Sequence, residues 1–177
     1  PSGSATSIAT DARFSWGLQG ITVNAAGTII YVNDDNQIKK MSTSNGATIF
    51  TNSLNEDHDK TIVTNINYTN DWGRSDDGDA ASSARFEGPR SIDTDSSGDI
   101  IVADYYGLKK LTVGSESSAP KFYKVLQKEW DEKEGLVIDS ANNMYFSSKE
   151  GNYIYKYVPS SGSLVKVLDT EDGTVDG

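Results

Sequence analysis

The chain of 177 residues has no cysteine, a single histidine and only four prolines. Without cysteine it has neither a disulfide framework nor a thiolate zinc site. The one histidine, His58, sits in the polar stretch Asn55-Glu56-Asp57-His58-Asp59-Lys60 and reads as a solvated loop residue. A zinc-hydroxide centre built on several imidazoles, or a Ser-His-Asp triad, therefore lacks its parts. Basic residues are also scarce: 16 Lys and Arg face 26 Asp and Glu, a formal net charge of -10. No basic cluster exists to neutralise phosphates, which argues against a nucleic-acid partner and against docking on anionic membrane. No apolar run approaches the roughly 20 residues of a membrane helix, and no glycine cluster opens a helix to cradle phosphate. Long Ala/Leu/Glu/Lys runs are missing as well, which removes a helical bundle.

What is present is Gly, Ser, Thr, Asn and Asp between short β-branched and aromatic runs, with nine Tyr, five Phe and three Trp. Disordered segments lack such aromatics, and the mixture suits a turn-rich, all-β protein of one compact domain. The acidic, cysteine-free, Ser/Thr/Asn-rich composition points to an extracellular or cell-surface location. Asn67-Tyr68-Thr69 is a glycosylation sequon, with Asn67 the acceptor.

Internal similarity organises the chain. The stretch SIDTDSSGDIIVAD (91–104) aligns with GLVIDSANNMYFSS (135–148) at an offset of 44 residues, and with GITVNAAGTIIYVN (20–33) at an offset of 71. Each copy runs through a short strand, Asp or Asn, two small residues, Gly or Asn, and a stronger strand. The Gly or Asn falls where a tight hairpin needs positive φ. Alternating strands come next at 37–41, 107–111 and 153–157, and a fourth strand-like element at 47–50, 121–126 and 163–168. Four antiparallel strands in a unit of about 45 residues is the pattern of a propeller blade.

The segment ARFEGPRSI (84–92) followed by DSSGDIIVAD (95–104) resembles an NHL repeat, and Asp76-Asp77-Gly78-Asp79-Ala80 resembles the glycine and aspartate linker between such repeats. The resemblance is closest in the second copy. The first departs from it, with Trp16 and Leu18 where small residues and proline are the pattern, and with an insertion at about 52–70 carrying a strand-like stretch at 60–68. The resemblance implies a β-propeller of four-stranded blades at about 11–54, 80–127 and 128–170, with linkers at 71–79 and 171–177. A propeller typically has 4–8 blades, so three form an incomplete ring with two apolar flanks. The end, 171–177, resembles the linker at 76–79, and the start, 4–14, resembles the blade opening at 80–86. The expected partners of those flanks are further blades of a longer chain, or a second copy in a ring or filament.

The stretch DTDSSGDIIVAD (93–104) raises the one metal question. Asp93, Asp95, Ser97 and Asp99 are spaced like the start of a calcium loop. The run Ile100-Ile101-Val102 belongs in a strand, however, which would carry Asp99 and Asp104 about 17 Å apart. The sibling copies place Thr22, Thr28, Val137 and Asn143 where the acids would be. A hairpin capped by the Asp95 side chain is the favoured reading, with no cofactor; calcium is the alternative. Lys39-Lys40 and Lys109-Lys110 read as solvated strand edges. Trp130 aligns with Phe86 as a packing anchor, whereas Trp72, beside Arg74 and without counterpart, is the candidate surface contact.

These features point to a non-catalytic binding or scaffold module for a protein, peptide or glycan. Two alternatives stand beside it. One is a structural subunit that self-assembles through open blade edges; the other is part of a propeller enzyme whose active site lies in blades outside this sequence.

Overall fold

The computed structural model describes residues 18–34, 37–42, 77–78, 86, 88–112, 121–127, 133–149 and 151–169. The insertion, His58, Asn67, the three tryptophans, Arg74 and the fourth element at 47–50 lie outside the described residues. Among the described residues the structure is all-β, with eleven strands in three antiparallel sheets. The first sheet holds β1 (Leu18–Val23), β2 (Ile29–Asp34) and β3 (Gln37–Ser42). The central sheet holds β4 (Ser91–Thr94), β5 (Ile100–Asp104), β6 (Gly107–Leu111) and β7 (Phe122–Gln127). The third holds β8 (Lys133–Ile138), β9 (Met144–Ser148), β10 (Tyr153–Val158) and β11 (Ser163–Asp169). Within each sheet the strands pair in chain order, as a meander.

The run IIVAD explains how the sheets stack. Side chains alternate along a strand, and in β5 both faces are buried. Ile100 and Val102 join Tyr31, Ile38, Ile92, Leu111 and Phe122 in the core between the first and central sheets. Ile101 and Ala103 join Leu108, Leu136, Met144 and Phe146 in the core between the central and third. Each fully buried Leu or Ile contributes about 1.5–3 kcal/mol, so the central sheet is held from both sides. Phe86 packs edge to face on Phe122, their centroids 6.3 Å apart, and closes the first core.

The innermost strands lie side by side, with β4 touching both β1 and β8. Gly20 permits one of these approaches: a Cβ there would sit 2.9 Å from Ile92 Cγ2 and 3.1 Å from Ser91 Cα. On the other side the edge of β8 is hydrogen-bonded by side chains. Leu136 N–H donates to Ser91 Oγ at 3.0 Å, and Ile138 N–H to Asp93 Oδ2 at 2.7 Å.

Strand pairing corrects the sequence alignment by one residue. Ile92 pairs with Val102 and Leu136 with Phe146, but Ile21 pairs with Val32 rather than Tyr31. The first hairpin is one residue longer: Asn24 N–H bonds Ile29 O, whereas Asp95 bonds Asp99 and Asp139 bonds Asn143. Thr28 is the extra residue, so beyond it the offset to the second copy is 70, and Asp34, not Asn33, matches Asp104. A second irregularity repeats faithfully. Val125 in β7 and Val167 in β11 are both skipped by the pairing, each between partners of consecutive residues in the preceding strand.

Gly107 opens β6 at φ 145°, and a Cβ on it would fall 1.9 Å from the Leu126 carbonyl oxygen. Gly98 also has positive φ, at 80°, but its Cβ position is open. Gly98→Ala should therefore cost about 1–2 kcal/mol, the left-handed penalty alone. Gly107→Ala should cost distinctly more, because backbone must move. Urea denaturation of both variants checks the order, and equal costs would refute the clash.

Candidate functional site at the hairpin rim

The candidate site begins with Asp95, whose side chain builds its own turn. Asp95 Oδ1 accepts from Ser97 N–H at 2.9 Å and Asp99 N–H at 3.0 Å, while Gly98 N–H bonds the Asp95 carbonyl. The siblings repeat this short-side-chain capping. Asp139 Oδ1 accepts from Ala141 and Asn143 N–H, with Asn142 at φ 63° in the place of Gly98. Asn24 Oδ1 accepts from Thr28 and Ile29 N–H across the longer turn. Neighbouring turns are also joined to each other: Ser96 N–H donates to Asn142 Oδ1, and Asn142 Nδ2 to Ser96 Oγ, both at 2.8 Å.

The acids nominated by calcium-loop spacing divide between two tasks. Asp93 points along the inner strands, where Oδ1 accepts from Thr22 Oγ1 and Thr94 N–H at 2.8 Å each and Oδ2 from Ile138 N–H. One carboxylate thereby connects all three sheets. Asp95 and Asp99 instead hold the Lys110 ammonium, with Nζ 2.8 Å from Asp95 Oδ2 and 2.6 Å from Asp99 Oδ2. A side-chain cation thus sits between the two carboxylates that a bound ion would have used. Ser97 takes part through its backbone N–H. Among the described residues no group of three or more His, Cys, Asp or Glu is placed to hold a metal.

The reading of Lys109 and Lys110 as solvated edges is corrected. Lys110 is half-buried and held in its ion pairs, and Lys109 turns to the opposite rim, where it pairs with fully buried Asp104 and lies 5.6 Å from the Phe86 ring centroid. Asp104 Oδ1 also accepts from Tyr106 N–H at 3.0 Å, closing the β5–β6 turn. At the equivalent positions the third sheet has Ser148 and Tyr155, so acid and lysine are exchanged together. That joint exchange is visible in the sequence and is the signal that finds the pair. On the same rim buried Asn33 donates through Nδ2 to the Pro89 carbonyl.

Among the described residues, three groups have displaced acidities. Burial alone would lower Lys110, but hydrogen bonds and charge from Asp95 and Asp99 outweigh it and hold its pKa above the ordinary lysine value. Tyr31 is raised by burial and then by the charge of Asp99. Asp139 is lowered, chiefly by the hydrogen bond from the Asn143 side chain, against some desolvation.

The sequence matches no family model, and no curated protein sequence matches it. Solved structures do. The extracellular domain of a one-component system of B. thetaiotaomicron is 13% identical over 90% of this chain, with a TM-score of 0.53. A second structure, described as the extracellular domain of a hybrid two-component system of the same organism, is 13% identical over 91% of it, with a TM-score of 0.55. In both, this chain spans 18% of the other. A structural-genomics protein of B. thetaiotaomicron is 12% identical over 86% of this chain and 36% of its own, with a TM-score of 0.52. At these identities the likeness is one of fold. Among the described residues the architecture is that of β-propeller blades of antiparallel strands, with four strands in the central and third sheets and three in the first.

Raised folded-state pKa values at Lys110 and Tyr31 give stability that is complete below their unfolded values, about 10–10.4, and lost as pH climbs through the folded ones. The lowered Asp139 contributes above its unfolded value of about 3.9 and loses that contribution as pH falls. The urea midpoint should therefore be flat at neutral pH and decline on both sides. Lys110→Met should lower the neutral plateau and remove part of the alkaline decline, since Asp95 and Asp99 then face each other without a counter-charge. An unchanged alkaline limb in that variant would refute the assignment. Millimolar calcium should leave the wild-type midpoint in place, and a rise would mean that the ion displaces Lys110.

Proposed function

We propose that this chain is an NHL-like segment of three propeller blades, at about 11–54, 80–127 and 128–170, acting outside the cell as a non-catalytic binding or scaffold module. The observation that carries this reading is the way the framework uses its charged groups. Asp93, the Asp95–Lys110–Asp99 cluster and the Asp104–Lys109 pair all serve strand seams and turns. Groups so engaged stiffen a scaffold and leave recognition to the loops at its rims. The likeness in fold to extracellular domains of one- and two-component systems supports a binding role by fold analogy.

The contact surface is assigned to Trp72 and Arg74, beside the insertion at 52–70, with a protein, peptide or glycan as ligand. Tryptophan offers stacking and arginine hydrogen bonding, and both residue types are enriched at binding hot spots. Screening the protein on glycan and peptide arrays should identify ligands, and Trp72→Ala should weaken the best of them by ten-fold or more, about 1.4 kcal/mol. Undiminished binding by Trp72→Ala and Arg74→Ala would move the site elsewhere. Turnover of an arrayed ligand would replace this reading with an enzymatic one. Asn67 is the proposed glycan acceptor, and its occupancy is checked by the mass of protein secreted from a eukaryotic host.

A further inference from the structure

We infer that the open face of the third sheet receives the open face of the first sheet of a second copy, head to tail. The argument comes from two seams already formed inside the chain and does not depend on the ligand-binding reading. At both seams the same strand positions meet. The innermost strand offers Ile92 toward the first sheet and Leu136 toward the central one, only 3% and 6% exposed. The equivalent residue of the first sheet is Ile21, by its pairing with Val32, and it is 70% exposed. Val23, two residues on and so on the same face, corresponds to Ile138, which packs into the second core. Val23 too is exposed.

The complementary half lies on the third sheet. At the second seam the central sheet presents Ile101, Leu108, Val125 and Leu126. The shared register, including the repeated bulge, maps these onto Tyr145, Ile154, Val167 and Leu168. Val167 is 57% exposed and Leu168 49%. One end of the stack therefore carries the acceptor half of the blade seam and the other end the donor half. Because the halves differ, the contact is heterologous: a face cannot mate with itself in the same way, and repetition yields a ring or an open filament. The junction differs in one respect from the internal ones. Where Ser91 and Asp93 accept hydrogen bonds from β8, the third sheet has Gly135 and Val137, so the new seam is held by apolar contact. Two copies of charge -10 also repel, and salt should tighten the association by screening that repulsion.

The experiment is light scattering and sedimentation of the whole chain up to roughly 1 mM, a concentration that detects contacts of about -4 kcal/mol, at low and high salt. Wild type should give species above 19.2 kDa that grow with concentration and with salt. Ile21→Asp and Val167→Asp should each be monomeric alone. Mixed, they should form a one-to-one complex that stops at two, since each retains one working face. Both sites are exposed, so the sheet signal in circular dichroism should persist; if either variant loses it, Val23→Asp and Leu168→Asp carry the same test. A monomeric wild type at every concentration would overturn the proposal and leave the faces to further blades in cis. Self-association of Ile21→Asp alone would also overturn it, by revealing a symmetric contact. Undiminished ligand binding by Trp72→Ala and Arg74→Ala, with assembly intact, would count against those two residues and not against this seam.

Discussion

A four-stranded sheet that is apolar on both sides cannot be stable alone in water, and everything else in this molecule answers to that constraint. The central sheet satisfies it with Ile100 and Val102 on one face and Ile101 and Ala103 on the other, all buried. Its two neighbours satisfy it on one face each. Stacked repeats of this kind derive their stability from nearest-neighbour contacts. The inner edges matter as much as the faces, because β4 and β8 abut without a backbone ladder between them. Asp93 and Ser91 supply side-chain acceptors there, which spares buried N–H groups the cost of being left unpaired, about 1–3 kcal/mol each.

Much of this was legible in the sequence. The repeat at 20–33, 91–104 and 135–148 gave the hairpins, and the alternation at 107–111 and 153–157 gave the third strands, because period-two patterning against a buried face is a local signal. The all-β, blade-like fold class emerges from those elements alone. The one-residue error beyond Thr28 had an equally physical origin. Gly27 and Gly98 occupy the same turn position and anchor the alignment of the two copies, whereas the extra residue reveals itself only in which carbonyl Asn24 N–H reaches.

The polar site was less legible, since its partners are brought together by pairing rather than by spacing. Asp95 capping its own turn is a local property and was readable. That Lys110, fifteen residues on, would lie between Asp95 and Asp99 depends on β6 folding back beside β5, and a Lys-Lys dipeptide in an alternating strand looks solvated until the facing strand is known. Asp93 was harder still. Its donors Thr22 and Ile138 lie in the two flanking sheets, 71 residues before it and 45 after, and no local pattern announces such a partnership.

The joint replacement of Asp104 and Lys109 by Ser148 and Tyr155 bears on how such a chain can diversify. A buried carboxylate separated from its ammonium is destabilising by about 3–5 kcal/mol, so recombination that moved β5 without β6 would strand a charge in the interior. The smallest unit that keeps every one of these ion pairs together therefore runs from the β4–β5 turn through β6, because Lys110 also pairs with Asp95 and Asp99.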